Sequence, residues 1–241
     1  MSGTDLLLHG FAGTGRSWDA VIQAAGEPHW RPNAPDLPGH GKAVGGSAGG
    51  IPGLAASLAA AYGPIGTLAG YSMGGRIALR MALDHPGVAR RLVLVSTSPG
   101  IEDPEERTRR AEADRELAAR FRQMIPEEIA GLWLSGPLFA GDPPEAQERA
   151  RAQILASEPS GLAQALRELG PGEMEPLWDR LEELELPVTL VAGERDPRYR
   201  EIAERMAAAI PQAEVVVVPA AGHALPREAP GALASLVAPA A

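Results

Sequence analysis

Cysteine is absent from the 241 residues, which excludes disulfides, thiolate metal sites and a cysteine nucleophile. Lysine is nearly absent, because Lys42 is the single one. Arginine is therefore the default cation, and one arginine alone is a weak mark of a chosen carboxylate binder. Positive charge is outweighed overall: the net charge is −9, which argues against nucleic acid as a partner. No basic segment followed by a long apolar run opens the chain at Met1–Asp5. No signal peptide or membrane span is expected, and the protein reads as cytoplasmic. No clustered His/Asp/Glu spacing suggests a metal site, and no cofactor is expected. Gly10-x-x-Gly13-x-Gly15 has the wrong spacing for a dinucleotide loop and lacks the Gly-Lys-Ser/Thr of a phosphate loop. Internal repeats and disordered tails are not evident either.

What is present is an ordinary globular balance, with 45% hydrophobic and 22% charged residues. The length suits one α/β domain with an insertion. Leu6-Leu7-Leu8 reads as a buried strand, followed by a loop at His9–Gly15 and a helix from Ser17 to Ala25. His29 to Pro35 reads as a short strand leading into the turn-rich Asp36–Gly41, and Gly45–Gly53 as a connection. Leu54–Tyr62 reads as a helix, Leu68 as the start of a strand, Arg76–Leu83 as a helix and Arg91–Ser96 as a strand. This alternation implies a mostly parallel sheet with helices on both faces. From Glu102 to about Gly170 the pattern is helical, charged and strand-free, as expected of an inserted lid. Arg107, Arg110, Asp114, Leu117 and Phe121 share one helix face, with Leu117 and Phe121 expected inward. Trp133, Pro137, Leu138 and Phe139 either line a pocket or join lid helices. Sheet character returns at Pro187–Gly193 and Val215–Val218, with helices at Ile202–Ile210 and Gly231–Val237. The expected division is core at 1–99, lid at 100–175 and core again at 176–241.

The chemistry centres on Gly70-x-Ser72-x-Gly74 between a strand and a helix, the context a nucleophile elbow needs. A serine hydroxyl is a weak nucleophile or base unless an imidazole takes its proton and a carboxylate orients that imidazole. On such a fold the order is serine, acid, histidine, each after a strand. Ser72, Asp196 and His223 meet that order. Glu194 is a competing acid closer to the strand end. His9 follows the first strand and is expected to make a structural hydrogen bond, and His29, His40 and His85 fit less well. The oxyanion hole is then expected from the N–H groups of Met73 and Phe11.

These residues resemble the α/β-hydrolase superfamily along essentially the whole chain. The carriers are Leu8-His9-Gly10-Phe11, Asp36-Leu37-Pro38-Gly39-His40-Gly41, the elbow, Gly193-x-x-Asp196 and Gly222-His223. More narrowly, the chain resembles the SHCHC synthases of menaquinone biosynthesis, the MenH-like proteins (SHCHC is 2-succinyl-6-hydroxy-2,4-cyclohexadiene-1-carboxylate). That likeness rests on His9-Gly10-Phe11 with Trp18, Gly70–Arg76, Arg107-x-x-Arg110-x-x-x-Asp114, Trp133 before Pro137-Leu138-Phe139, and Gly193-Glu194-Arg195-Asp196-x-Arg198-Tyr199. The resemblance implies a lyase that expels pyruvate from the polycarboxylate SEPHCHC, with the triad as base and no acyl-enzyme. It implies that Arg76 binds a substrate carboxylate, the other reading being a surface helix arginine. Tyr71, Arg110, Trp133 and Arg167 are further substrate-binding candidates. The expected partner is this small molecule, and the expected state a monomer or weak homo-oligomer. A hydrolase acting on an ester or C–C bond through Ser72 is the alternative, and a non-catalytic small-molecule receptor is a third class. The chain departs from the family in its missing or minimal leading strands, in Pro226 after the histidine and in Pro197 after the acid.

Overall fold

The computed structural model describes residues 4–139 and 141–239. Residues 1–3, on which part of the leader expectation rests, lie outside the described residues, as do 140, 240 and 241. Five parallel strands form one sheet in chain order: β1 (Thr4–Leu8), β2 (Ile65–Tyr71), β3 (Ala89–Val95), β4 (Val188–Gly193) and β5 (Ala213–Val218). Before β2 lie helices α1 (Asp19–Ala25) and α2 (Gly50–Tyr62), and after it α3 (Met73–Asp84). Between β3 and β4 lie α4 (Pro104–Phe121), α5 (Pro126–Leu134), α6 (Pro144–Leu155) and α7 (Pro159–Leu169). The chain closes with α8 (Pro197–Ala209) before β5, then α9 (Leu225–Glu228) and α10 (Pro230–Val237).

Covered on both faces, the inner strands are near-continuous apolar runs, as a parallel sheet requires. Successive side chains point to opposite faces. Leu6, Leu8, Leu92 and Leu94 pack beneath α2, α3 and α8, while Leu7, Val93 and Val95 pack with Trp18, Val21, Leu233 and Val237 under α1 and α10. A third core, built of Ala118, Phe121, Ile129, Ile154, Leu162 and Leu166, holds α4–α7 together. On α4 the buried stripe is Ala111, Asp114, Ala118 and Phe121. Leu117, expected inward, is half-buried, because small Ala118 takes the inner position.

The expected strand at His29–Pro35 is a single bridge, Leu6 to Asn33. Leu7 N–H donates to the Asn33 carbonyl and Asn33 N–H to that of Asp5, both at 2.8 Å. Pro32 and Pro35 have no N–H to extend the ladder. Helix α2 begins at Gly50 rather than Leu54, with Pro52 in its first turn, where the missing N–H costs nothing. The Asn33 bridge has a consequence for the site. From β1 the chain first steps outward to Asn33 and then back to β2 on the other side of β1. The loops after β1 and β2 therefore diverge, opening a crevice at the carboxyl ends of the strands, where open α/β sheets bind ligands.

That crevice needs α3 to press against β1. A Cβ on Gly74 would collide with the Leu8 carbonyl and stand 2.6 Å from the His9 carbonyl oxygen. Both are backbone atoms at the buried end of β1 and just beyond it, and cannot yield cheaply. Gly74→Ala is expected to cost about 3 kcal/mol as overpacking. For a chain of this size that lowers Tm by roughly 6–12 °C, which a calorimetric scan checks.

Candidate active site

Ser72 sits between the last residue of β2 and the first of α3 with φ 50° and ψ −109°. A non-glycine residue at positive φ is held there only by its surroundings. Here the Ser72 N–H donates to the Val95 carbonyl at 2.9 Å, and its own carbonyl accepts from the Thr97 hydroxyl at 2.7 Å and the Arg76 N–H at 3.2 Å. Thr97 gets that close because Gly75 has no side chain: a Cβ there would lie 2.6 Å from the threonine's own.

The imidazole of His223 lies 3.3 Å from the Ser72 hydroxyl through Nε2, and 2.8 Å from Asp196 Oδ2 through Nδ1. The carboxylate accepts the Nδ1 proton, which leaves Nε2 as the acceptor facing the hydroxyl. Asp196 is itself fixed as the cap of α8, its other oxygen accepting the Tyr199 N–H at 3.4 Å. Both His223 and Asp196 are buried, where weak screening strengthens such bonds. The rings of Tyr199, Tyr71 and Phe139 surround the imidazole, with centroids at 4.5, 5.6 and 6.1 Å.

The competing residues are occupied elsewhere. The Glu194 carboxylate accepts the Ala220 N–H at 2.8 Å. His9 donates from Nδ1 to the Gly10 carbonyl at 2.8 Å and accepts the Leu37 N–H at Nε2, 2.9 Å. Burial holds His9 neutral, its pKa pushed down to about 4. His40 is likewise pushed down to about 3 by burial and by His9 beside it. The N–H groups of Phe11 and Met73 donate to no protein acceptor among the described residues, and both residues line the cavity over Ser72.

Arg76 also lines this cavity. It is only 7% exposed. Its Nη2 donates to the Leu169 carbonyl at 2.8 Å, while its Nε has no partner. Burial pushes its pKa down to about 10, since charge is costly away from water. Arg110 reaches the same cavity from α4. Its Nε donates to both oxygens of Asp114, at 2.9 and 3.0 Å, and its terminal nitrogens have no partner among the described residues. Burial raises the pKa of Asp114, with Arg110 opposing. Tyr71 and Trp133 complete the expected wall. The Trp133 ring packs 4.7 Å from Phe11 and 6.0 Å from Phe139, so this apolar cluster both lines the pocket and joins the insertion.

Arg167 does not reach the cavity. Leu162, Leu166 and Leu169 take the inner face of α7, and the arginine points to solvent. Arg167→Ala is expected to leave kcat/KM within about twofold and stability within about 0.5 kcal/mol, measured by steady-state kinetics and denaturant unfolding. Conversely, Tyr199 and Arg227 line the cavity without having been singled out as contacts. Tyr199 stands in the motif that carries the narrower resemblance, three residues past the acid, whereas the only signal for Arg227 is its position four past the histidine, each on the next helical turn. Arg227 is held by Asp142 at 3.0 Å and lies over the Phe139 ring. Among the described residues no cluster of three or more His, Asp or Glu side chains forms a metal-ligand set.

With fold and geometry in place, the comparisons fall on one family. The α/β-hydrolase family profile matches residues 6–236. The 2-succinyl-6-hydroxy-2,4-cyclohexadiene-1-carboxylate synthase of Enterobacter sp. (strain 638) is 33% identical, over 97% of this chain and 89% of that protein. The structure of MenH from S. aureus superposes with a TM-score of 0.86 at 31% identity, covering 98% of this chain and 92% of that one. A thermophilic esterase from Thermogutta terrifontis superposes with a TM-score of 0.82, also at 31% identity, covering 98% and 89%. The chain belongs to the α/β-hydrolase family.

Proposed function

We propose that this protein is an SHCHC synthase, a carbon–oxygen lyase of menaquinone biosynthesis that expels pyruvate from SEPHCHC. The observation that carries the reading is Arg76, a buried guanidinium with an unpartnered Nε in the wall of the cavity that holds Ser72. A protein of net charge −9 gains nothing from burying an unpaired cation unless an anion comes to it. SEPHCHC carries several carboxylates, and Arg76 and Arg110 meet them at one wall.

The chemistry then follows from the geometry. Ser72, relieved of its proton by His223, takes a ring proton of the substrate. The electron pair of that C–H bond enters the ring as a new double bond, the C–O bond to the enolpyruvyl group breaks, and its pair leaves as the enolate of pyruvate. Asp196 stabilises the imidazolium that exists in between, and the enolate takes its proton to become pyruvate and restore neutral His223. The Met73 and Phe11 N–H groups face the negative charge that develops in the transition state. No bond from Ser72 to carbon is needed.

The alternative, an ester hydrolase, is favoured by the same serine–histidine–aspartate arrangement and by the likeness to the esterase. One assay separates the two. Purified protein is mixed with freshly generated SEPHCHC, and pyruvate release and diene absorbance are followed together, beside a panel of simple esters. Equal, rapid appearance of pyruvate and diene is expected. No acceleration over background, with Ser72-dependent ester cleavage, assigns the hydrolase instead.

A further inference from the structure

Beyond Ser72, His223 and Asp196, we infer that Glu228 is a positioning residue that fixes the backbone of His223. The two peptide N–H groups flanking the histidine both end on its carboxylate: Gly222 N–H donates to Oε2 at 2.9 Å and Ala224 N–H to Oε1 at 3.0 Å. Oε2 also accepts from Arg195 at 2.6 Å, and Arg195 immediately precedes Asp196. One carboxylate thus clamps the histidine loop from both sides and ties it to the loop that carries the acid.

The clamp is built into the chain. The Glu228 side chain is 3% exposed although its arginine partner is 47% exposed. A Cβ on Gly222 would stand 3.1 Å from Oε1, so a side chain before the histidine would push the carboxylate back by a few tenths of an ångström. The turn of α9 folds Glu228 back, its N–H donating to the Ala224 carbonyl at 3.0 Å. The Arg195 N–H donates to the Ala221 carbonyl at 2.8 Å, a second stitch between the same two loops. Two half-buried amide donors left without this acceptor would instead turn toward water, and His223 lies between them. Its bonds to Ser72 and Asp196 are those the displacement breaks, and such a shift of about 1 Å costs on the order of 10²-fold in rate.

This inference rests on the triad assignment but not on the substrate, so its test uses a fluorophosphonate. The Ser72 oxygen bonds to phosphorus, fluoride leaves with the pair of the P–F bond, and the hydroxyl proton passes to His223. The amount of label counts competent sites, and the rate constant per labelled site reports how well His223 activates Ser72. Glu228→Ala is expected to label to wild-type stoichiometry with a rate constant lowered on the order of 10²-fold. Glu228→Gln is expected to fall between, because its one amide oxygen accepts one of the two N–H groups. It retains the side chain's volume and decides the matter alone if Glu228→Ala does not fold. A wild-type rate constant per site, at full or reduced stoichiometry, overturns the inference and leaves Glu228 a stabilising contact only. Wild-type protein that takes no label overturns the triad assignment together with this one, whereas failure of pyruvate elimination with normal labelling touches only the lyase reading.

Discussion

Ser72→Ala is expected to lower kcat for pyruvate elimination by about 10³-fold while KM changes by no more than a few-fold. The first figure is the worth of a positioned general base, equivalent to ~4 kcal/mol of barrier. His223 does not replace the missing hydroxyl. Its Nε2 points at the serine oxygen from 3.3 Å, and the imidazole is 2% exposed, boxed by Tyr199, Tyr71 and Phe139. It cannot swing forward to the ring proton without breaking its bond to Asp196. KM is spared because Arg76, Arg110 and the aromatic wall, to which the proposed function assigns ground-state binding, do not depend on the hydroxyl. His223→Ala should fall by a similar factor, and the double variant little further, because the two residues act as one unit. Steady-state kinetics of pyruvate release on the three variants tests this. Additive losses would mean that serine and histidine act in separate steps.

The parts of this site legible in the sequence are those governed by local sterics or chain order. An elbow needs small residues at fixed offsets, and Gly70, Gly74 and Gly75 stand where any side chain would meet backbone or Thr97. Asp196 and His223 follow from where strands end, which apolar runs reveal. Helix rotation was not legible. Arg110 and Arg167 look alike in sequence, yet Asp114 one turn on holds Arg110 at the cavity, while three leucines turn Arg167 outward. The prolines that departed from the family pattern prove compatible with it. Pro197 is the first residue of α8 and Pro226 lies in the first turn of α9, positions where an N–H is not needed. The strand expected at His29–Pro35 shrank for the reverse reason, since there the prolines remove donors a ladder requires. Glu228 reads in sequence as an ordinary surface acid, and only the turn that folds it onto Gly222 and Ala224 reveals its role.

Arg76→Met is expected to cost the enzyme most of its substrate affinity and to make the free protein more stable. Affinity falls because the variant removes the most deeply buried of the cavity's arginines, and losing a desolvated charge–charge contact is worth 2–5 kcal/mol. KM is therefore expected to rise on the order of 10²-fold. Stability moves the other way. The guanidinium is held by one carbonyl, from Leu169, and its Nε is orphaned. Burial lowers its pKa from the ordinary guanidinium value to about 10. For a base, a folded pKa below the unfolded one is a penalty on the folded state. The penalty is present in full below about pH 10 and is relieved only as pH rises from there towards the pKa of the unfolded chain. At neutral pH it amounts to a few kcal/mol. Methionine fills similar space without charge, and such replacements gain about 1–4 kcal/mol, or roughly 2–4 °C in Tm for each. Saturating product works against that gain. Wild-type protein gains ~2.7 kcal/mol at a hundred times its Kd, whereas a variant bound 10²-fold more weakly gains only about 0.4 kcal/mol. Thermal scans should therefore show the variant melting higher when empty, while SHCHC raises the wild type by roughly 5–11 °C and the variant by no more than about 1–2 °C. A variant that melts lower in both conditions would instead make Arg76 a strut between α3 and the Leu169 carbonyl at the end of α7, and would remove the observation on which the polycarboxylate reading rests.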